Sequence, residues 1–301
     1  MAPHQVVLPA KAASSVLAES NPDAAFTDAD VVFGQPGAEE VLQAPRLRWL
    51  HISSAGYTRY DTPEFRKAAK ERKLVVTNSS TVYAEPCAEH VFSFMMANAR
   101  QLPTALKSDR DPGSLAWHQL RSSCALLKGQ SAVILGFGNI ARHLVGLLRP
   151  FGMQITAVRR QPKGDEGVST ITPDQLLPAL AKADHVVNLL PTNPGSTRFI
   201  SAVQFAAMKR GAAFYNIGRG TTVDHDDLLT VLRSGQLAAA WLDVTDPEPL
   251  PPSHPLLIMP NCFITPHIAG GQKKETAMLV HHFLENFRRF LDNAPLLDRI
   301  I

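Results

Sequence analysis

The stretch Ser131-Ala-Val-Ile-Leu-Gly-Phe-Gly-Asn-Ile-Ala141 decides the fold class of this chain. Its first five residues form an apolar run typical of a buried strand, and apolar residues recur at helical spacing over Ile140–Leu148. Between them stands the pattern G-x-G-x-x-A, in which Gly136 permits a tight turn and Gly138 lets the backbone approach a ligand. With a strand before it and a helix after it, this pattern predicts a phosphate-binding loop for a dinucleotide. A glycine-rich turn without a ligand is the alternative.

The start of the following helix is the expected contact for the pyrophosphate. Asn139 and Ile140 head this helix, where unpaired N–H groups and the helix dipole favour an anion. Ala141 stands where a third glycine often does, and it still permits close packing of the helix on the sheet.

Other apolar runs alternate with amphipathic segments along the whole chain, which is the pattern of βαβ units and parallel sheets. The strands predicted in the first half are Gln5–Leu8, Ala29–Phe33, Leu47–His51 and Lys73–Thr77. Those predicted in the second half are Ser131–Leu135, Gln154–Val158, His185–Leu190, Ala212–Asn216, Ala238–Asp243 and Cys262–Thr265. Six strands suit a complete dinucleotide-binding sheet. The expected fold class is α/β, with two Rossmann-like or flavodoxin-like domains, parallel sheets and a cleft between the domains.

Two long helices and a polar segment set the expected domain boundaries. A helix is predicted over about Ala84–Arg100, and the polar segment 104–127 after it has no clear period. The last helix, about Gln272–Leu291, follows the second set of strands and is expected to return to the first domain. The expected domains are a discontinuous substrate domain, residues 1–98 plus 271–301, and a dinucleotide-binding Rossmann domain, residues 99–270, that includes an arm over about 104–127.

Length and composition further narrow the classes of protein to which the chain could belong. The 301 residues suggest two domains, and the balance of 30 basic against 27 acidic side chains argues against nucleic acid or a membrane surface as a partner. The three cysteines have no C-x-x-C spacing, so neither a disulfide framework nor a zinc site is expected, and no metal is predicted. Met1–Ser15 lacks the pattern of a signal peptide, and no apolar run reaches about 18 residues. A cytoplasmic protein is expected.

The strand after the glycine loop ends in two arginines. An acid that binds the adenosine ribose of NAD is usual there, but Arg159 and Arg160 occupy the position. A guanidinium suits a 2′-phosphate, so NADP is favoured as cofactor and NAD stays possible. The alternative is a solvated basic loop.

Three charged segments follow predicted strands of the second half: Asn216–Gly220, Asp243–Leu250 and Thr265–Gly270. Ligands of open parallel sheets bind outside the carboxyl ends of the strands, where these segments are expected. They supply an arginine (Arg219), two carboxylates (Asp243 and Glu248) and an imidazole (His267), which together could perform acid–base chemistry. Taken singly, each could be a solvated or capping residue.

In these motifs the chain resembles the D-isomer-specific 2-hydroxyacid dehydrogenases, and most closely their glyoxylate/hydroxypyruvate reductase-like members. The matching motifs occur in the same order: Ser54–Gly56, Ala88–His90, the glycine loop, Leu190–Thr192, Asn216–Gly220, Asp243–Leu250 and Thr265–Gly270. The resemblance implies an oxidoreductase that transfers a hydride between NAD(P)H and a 2-keto acid to give a D-2-hydroxy acid. It also implies a homodimer formed through the arm.

The resemblance implies roles for single residues. Arg219 would bind the substrate carboxylate and polarise the keto oxygen, His267 would protonate that oxygen, and Glu248 would orient His267. Backbone N–H groups of Ala55 and Gly56 would hold the substrate carboxylate. The implied cofactor contacts are Gly136, Gly138, Asn139, Ile140, Arg159, Arg160, Pro191, Thr192, Ile217, Gly218 and Asp243.

The chain also departs from the family pattern. Tyr57 and Thr58 follow Gly56 where an aliphatic residue and an acid are common, so the identity of the side chain on the substrate is left open. Trp241 stands in a strand that usually carries small residues.

A dinucleotide-sensing regulatory protein on the same fold is the alternative function, and the intact catalytic set counts against it. A dehydrogenase of a phosphonate or phosphite is a weaker one.

Overall fold

The computed structural model describes residues 4–8, 24–108 and 110–301. The chain divides into two compact units, Met1–Tyr83 with Gln272–Ile301, and Ala84–Gly271. The division falls inside a helix that runs from Ser80 to Ala99, earlier than the boundary expected between residues 98 and 99. The assignment of a substrate domain and a cofactor domain stays a prediction.

Helices and strands alternate through most of the chain. In chain order they are β1 (Val31–Gly34), α1 (Ala38–Gln43), β2 (Trp49–Ile52), α2 (Pro63–Glu71), β3 (Val75–Thr77), α3 (Ser80–Ala99), α4 (Leu102–Ala105), α5 (Leu115–Ser123), β4 (Ser131–Leu135), α6 (Asn139–Leu148), β5 (Gln154–Val158), β6 (Ser169–Ile171), α7 (Leu176–Leu180), β7 (His185–Asn188), α8 (Ala202–Ala207), β8 (Ala212–Asn216), α9 (His225–Arg233), β9 (Leu237–Leu242), β10 (Cys262–Ile264) and α10 (Glu275–Leu291). Short 3-10 turns lie at Ala24–Asp28, Thr58–Tyr60, Arg149–Phe151, Pro173–Gln175, Gly220–Thr222 and Pro255–Ile258.

The first unit contains a three-stranded parallel sheet in the order β1-β2-β3. All four residues of β2 are buried, as expected of the central strand of a parallel sheet. Helix α10 belongs to this unit, and its aromatic face stacks on the central strand: Phe283 and Phe290 each lie 5.3 Å from Trp49 between ring centroids. The expected return of the last helix to the first part of the chain is therefore what the structure has.

The predicted strand Gln5–Leu8 is wrong. Residues 4–8 pair with no strand of the described chain, and Val6 and Leu8 are 77% and 79% exposed. A run of three apolar residues is too short for its pattern to identify a strand. The rest of the segment Met1–Ser15, residues 1–3 and 9–15, lies outside the described residues.

The second unit contains a seven-stranded sheet in the order β10-β9-β8-β7-β4-β5-β6, and every pair in it is parallel. The α/β class with parallel sheets is thus confirmed. The prediction of six strands missed β6, a three-residue strand that pairs with β5 and is exposed or half-buried. The strand order reverses beside β4, whose neighbours are β5 and β7. Ligands of such sheets bind at this reversal, outside the carboxyl ends of the strands.

The helices between residues 80 and 127 also differ from the prediction. Helix α3 begins at Ser80, four residues before the expected start. The polar segment 104–127 includes α5, whose first turn is capped by the Ser114 hydroxyl accepting from the N–H of Trp117 at 3.2 Å. This cap, and not an apolar period, is the local signal for the helix.

Candidate active site

The glycine loop follows β4 and begins α6, as predicted. Gly136 has a φ of +90°, which favours glycine, and its N–H donates to the carbonyl of Val158 at 3.0 Å, joining the turn to the end of β5. A Cβ at Gly138 would meet no atom of the described chain within 4 Å, so open space faces this position. Gly138 is also the N-cap of α6 and makes no side-chain capping bond. An anion-binding helix N-terminus with room beside it fits the pyrophosphate of a dinucleotide.

Two other segments expected at the cofactor lie at the ends of β7 and β8. A Cβ at Gly218 would lie 2.7 Å from the carbonyl oxygen of Leu190, so only glycine lets these two turns pack together. The hydroxyls of Thr192 and Thr221 are 2.8 Å apart, which also joins the turns. Pro191, Thr192, Ile217 and Gly218 therefore belong to one connected edge of the sheet.

The two predicted 2′-phosphate ligands differ in environment. Arg159 donates to Glu166 at 2.9 Å and lies 3.9 Å from Asp165, whereas Arg160 is exposed. Glu166 also accepts the N–H of Lys163 at 2.8 Å. This backbone hydrogen bond, helped by Arg159, lowers the pKa of Glu166 to about 2. The sequence interpretation missed Glu166, which neutralises one of the two arginines.

Arg219 begins the 3-10 turn after β8, and buried polar side chains fix its backbone. Its carbonyl oxygen accepts from the Thr222 hydroxyl at 2.6 Å and from the Asn216 amide at 3.2 Å. The Asn188 amide in turn donates to Thr222 at 2.7 Å and to Asn216 at 3.0 Å. All three of these side chains are fully buried. The sequence interpretation missed Asn188 and Thr222, which hold the turn that carries Arg219.

The guanidinium of Arg219 donates to the carbonyl of Gly218 at 2.6 Å. Burial lowers the pKa of Arg219, while Cys87 and Glu248 nearby oppose that shift. Burial also raises the pKa of the Cys87 thiol to about 12, with Asp243 adding to the rise. A neutral thiol thus lies near a partly desolvated cation. The remaining guanidinium N–H groups of Arg219 suit a carboxylate ligand.

His267 and Glu248 form a close pair. Nδ1 of His267 lies 2.5 Å from Oε1 of Glu248, with the two side chains 31% and 39% exposed. His267 has a φ of +52°, which a non-glycine residue adopts only when its surroundings hold it there. Its N–H donates at 3.0 Å to the carbonyls of both Asp243 and Thr265. With Nδ1 bonded to an acid, Nε2 is the nitrogen that can exchange a proton with a ligand.

The carboxylate of Asp243 organises the turn after His267. It accepts the hydroxyl of Thr265 at 2.6 Å and the backbone N–H groups of Ile268 and Ala269 at 2.9 Å and 2.8 Å. Asp243 is buried, so these donors replace the water it has lost. His90, on α3, lies beside this group, with its Nε2 at 3.7 Å from the carboxylate. The predicted Arg219, Glu248, His267 and Asp243 all lie in the second unit.

Ala55 and Gly56, the predicted backbone ligands of the substrate, lie in the first unit. The carbonyl of Ala55 accepts from the Asn78 amide at 2.7 Å, and that of Gly56 accepts from the Ser54 hydroxyl at 2.7 Å. These bonds fix the turn after β2. The role of Ala55 and Gly56 toward a substrate stays a prediction.

The described residues contain neither a cluster of metal ligands nor a membrane-spanning helix. No group of three or more His, Cys, Asp or Glu side chains there could hold a metal ion. Nor does any described helix have the length and apolar character that a membrane span requires. Trp241, which departs from the family pattern, packs against Phe263 with 4.2 Å between ring centroids and the rings tilted by 31°, and its indole N–H donates to Asn98 at 3.2 Å.

The fold and these side chains define a dinucleotide-binding α/β protein with an acid–histidine pair at its sheet edge. The sequence model of the family described as D-isomer specific 2-hydroxyacid dehydrogenase, NAD binding domain, matches residues 92–269. The chain belongs to this family.

Individual relatives agree with this family assignment. The glyoxylate reductase/hydroxypyruvate reductase of Mus musculus is 36% identical over 231 residues, which cover 76% of this chain and 69% of that enzyme. The glyoxylate reductase of Korarchaeum cryptofilum is 31% identical over 258 residues, covering 84% of this chain and 76% of that enzyme. A probable 2-hydroxyacid dehydrogenase from Rhizobium etli CFN 42, solved in complex with NADP, HEPES and L(+)-tartaric acid, is similar with a TM-score of 0.76 at 25% identity, covering 93% of this chain and 86% of that one. The activity of the chain is the NAD(P)-dependent reduction of a keto acid.

Proposed function

We propose that Arg219, Glu248 and His267 form the catalytic site of a reductase that converts a small 2-keto acid, of the glyoxylate or hydroxypyruvate type, to a D-2-hydroxy acid. The observation that carries the proposal is the 2.5 Å contact between Glu248 and His267 in the same unit as the glycine loop and Arg219. With Nδ1 bonded to this carboxylate, Nε2 of His267 is the ring nitrogen that can give a proton to a carbonyl oxygen.

Each residue has a separate task in this proposal. A bound reduced nicotinamide supplies the hydride to C2 of the keto acid. Arg219 binds the carboxylate through its planar guanidinium and polarises the keto oxygen. His267 donates the proton from Nε2 to that oxygen as the hydride arrives, and Glu248 orients the ring through Nδ1.

The cofactor proposed is NADPH in preference to NADH. Arg160 supports this, because it is an exposed cation directly after β5 and because Gly136 bonds to the end of that strand. The NADP in the Rhizobium etli relative agrees with the proposal. Gly138, Asn139 and Ile140 would contact the pyrophosphate, and Asp243 would lie near the nicotinamide.

The partner proposed is a second copy of this chain, bound through the arm. Three large apolar side chains of this region are more than three-fifths exposed: Leu106, Leu115 and Leu126. Exposed leucines at this density are typical of an interface. Sedimentation of the purified chain tests this, and a monomer at micromolar concentration would contradict it. A cytoplasmic location stays a prediction.

The test of the activity is a panel of glyoxylate, hydroxypyruvate, pyruvate, phenylpyruvate and branched keto acids with NADPH and, separately, NADH. We expect loss of reduced-cofactor absorbance with at least one small keto acid and faster loss with NADPH. Chiral analysis of the product should give the D isomer. Binding of NADPH without turnover on the whole panel would instead favour the dinucleotide-sensing alternative.

A further inference from the structure

We infer that His90, on helix α3, is a positioning residue that keeps His267 in its reactive orientation, acting through Thr265 and Asp243. This inference rests on the proposed role of His267 as proton donor. His90 does not contact His267 in any bond described above. Its effect passes through a buried carboxylate and the backbone of the turn after β10.

The geometry assigns the direction of the bond from His90. Its Nε2 lies 3.2 Å from the hydroxyl oxygen of Thr265. That hydroxyl donates its hydrogen to Asp243 at 2.6 Å, so it can only accept from His90. Nε2 of His90 therefore carries a hydrogen that points toward Thr265 and, at 3.7 Å, toward Asp243. The ring of Phe94, 4.4 Å away between centroids and edge-on, fixes the plane of the imidazole.

Asp243 depends on a fixed set of polar partners because it is buried. The Asp243 side chain is 1% exposed and that of His90 is 19% exposed. Water no longer solvates this carboxylate, and Thr265, Ile268 and Ala269 provide three donors in its place. The imidazole N–H of His90 polarises the Thr265 hydroxyl and adds a fourth favourable dipole.

The same carboxylate controls the backbone beside His267. Ile268 and Ala269, the two residues after it, donate their N–H groups to Asp243. His267 itself donates its N–H to the carbonyl of Asp243 at 3.0 Å. These bonds hold His267 at a φ of +52°, from which its ring meets Glu248. Without His90, Thr265 and Asp243 lose a fixed partner, and the turn can relax away from this uncommon conformation.

The test compares His90→Leu with His90→Gln, since the Gln amide N–H can replace the donor at Nε2. His281→Leu is the matched control, because it makes the same change at an exposed histidine of α10. Thr265→Val and Thr265→Ser form a second pair, in which only Val removes the hydroxyl. We expect kcat to fall about 10-fold or more in His90→Leu and Thr265→Val, with KM for NADPH within about 2-fold of the parent. His90→Gln, Thr265→Ser and His281→Leu should retain most of the kcat.

The double variant His90→Leu/Thr265→Val sharpens the test. Because both residues act through Asp243, the kcat of the double variant should be no lower than that of the less active single variant. Additive losses would overturn the inference, as would equal losses in His90→Leu and His90→Gln. If His90→Leu does not fold, the same inference is tested by Thr265→Val against Thr265→Ser. If His90→Leu keeps the full kcat while His267→Gln is inactive, the role of His90 is overturned and the proposed function stands. If His267→Gln turns over, the proposed function itself is overturned.

Discussion

The two regions of the second unit that were predicted to bind ligands are built very differently. At the carboxyl ends of β8 to β10, the backbone beside Arg219 and His267 is held by side chains with little or no exposure, among them Asn188, Thr222 and Asp243. In the loop after β5, most of the charges face water: Arg160 is exposed, and Asp165, 57% exposed, pairs at 3.1 Å with Arg142 of α6, which is 42% exposed. Arg159 and Glu166, 21% and 2% exposed, form a less accessible pair.

The difference indicates what each region is built for. Buried hydrogen bonds fix donors and acceptors to within the tolerance that proton and hydride transfer require. Exposed ion pairs hold their partners loosely and contribute about 0–1 kcal/mol each. Substitutions at the sheet edge should therefore change the rate strongly, and substitutions in the loop after β5 should change only the choice of cofactor.

The largest effect is expected for His267→Gln, which removes the proposed proton donor at the sheet edge. We expect kcat to fall about 10³-fold, within the range usual for loss of a general acid, while binding of NADPH measured by fluorescence is retained. His281→Gln is the control, since it changes an exposed histidine outside the site. A variant His267→Gln that turns over at a tenth of the parent rate would contradict the mechanism.

A smaller effect is expected for Thr222→Val, because valine has nearly the same shape as threonine but lacks the hydroxyl that joins the buried network. The carbonyl of Arg219 and the amide of Asn188 then each lose a partner, at a cost of about 1–3 kcal/mol in the free energy of unfolding. We expect kcat/KM for the keto acid to fall about 10-fold, mainly through KM, because Arg219 is proposed to bind the substrate.

Thr222→Ser keeps the hydroxyl and is the matched control. Its kcat/KM should stay within about 3-fold of the parent value, and urea unfolding of both variants separates stability from binding. Equal kinetics in Thr222→Val and Thr222→Ser would mean that the buried network does not position Arg219.

The contrast between these regions also explains how much the sequence could predict. The bounds of β4, β5 and β8 agree with the predicted strands, because each is rich in apolar residues and has a neighbouring strand on both sides in the parallel sheet. Strand β6 was missed because it has three residues and its first is polar and exposed.

The site was predictable in part for a similar reason. Arg219 and His267 stand within a few residues of a strand end, so the order of strands alone brings them to one sheet edge. Asn188 and Thr222 contact each other across 34 positions of sequence, and an asparagine that ends a strand carries no local signal for such a bond. His90 and Glu166 were not assigned a role for the same reason, since their partners depend on the folded chain.

The smallest effects on turnover of the keto acid itself are expected in the loop after β5, where the contributions of Arg159 and Arg160 can be separated. Glu166 already neutralises Arg159, whereas Arg160 is exposed and makes no ion pair with any described residue. We therefore expect Arg160→Ala to lower the ratio of kcat/KM for NADPH to that for NADH about 10-fold, and Arg159→Ala to lower it about 3-fold or less. Both ratios should be measured with one keto acid at low ionic strength, since salt screens an exposed cation from a phosphate. A larger fall in Arg159→Ala than in Arg160→Ala would mean that a bound 2′-phosphate displaces Glu166 from Arg159, and the loop would then have to rearrange when the cofactor binds.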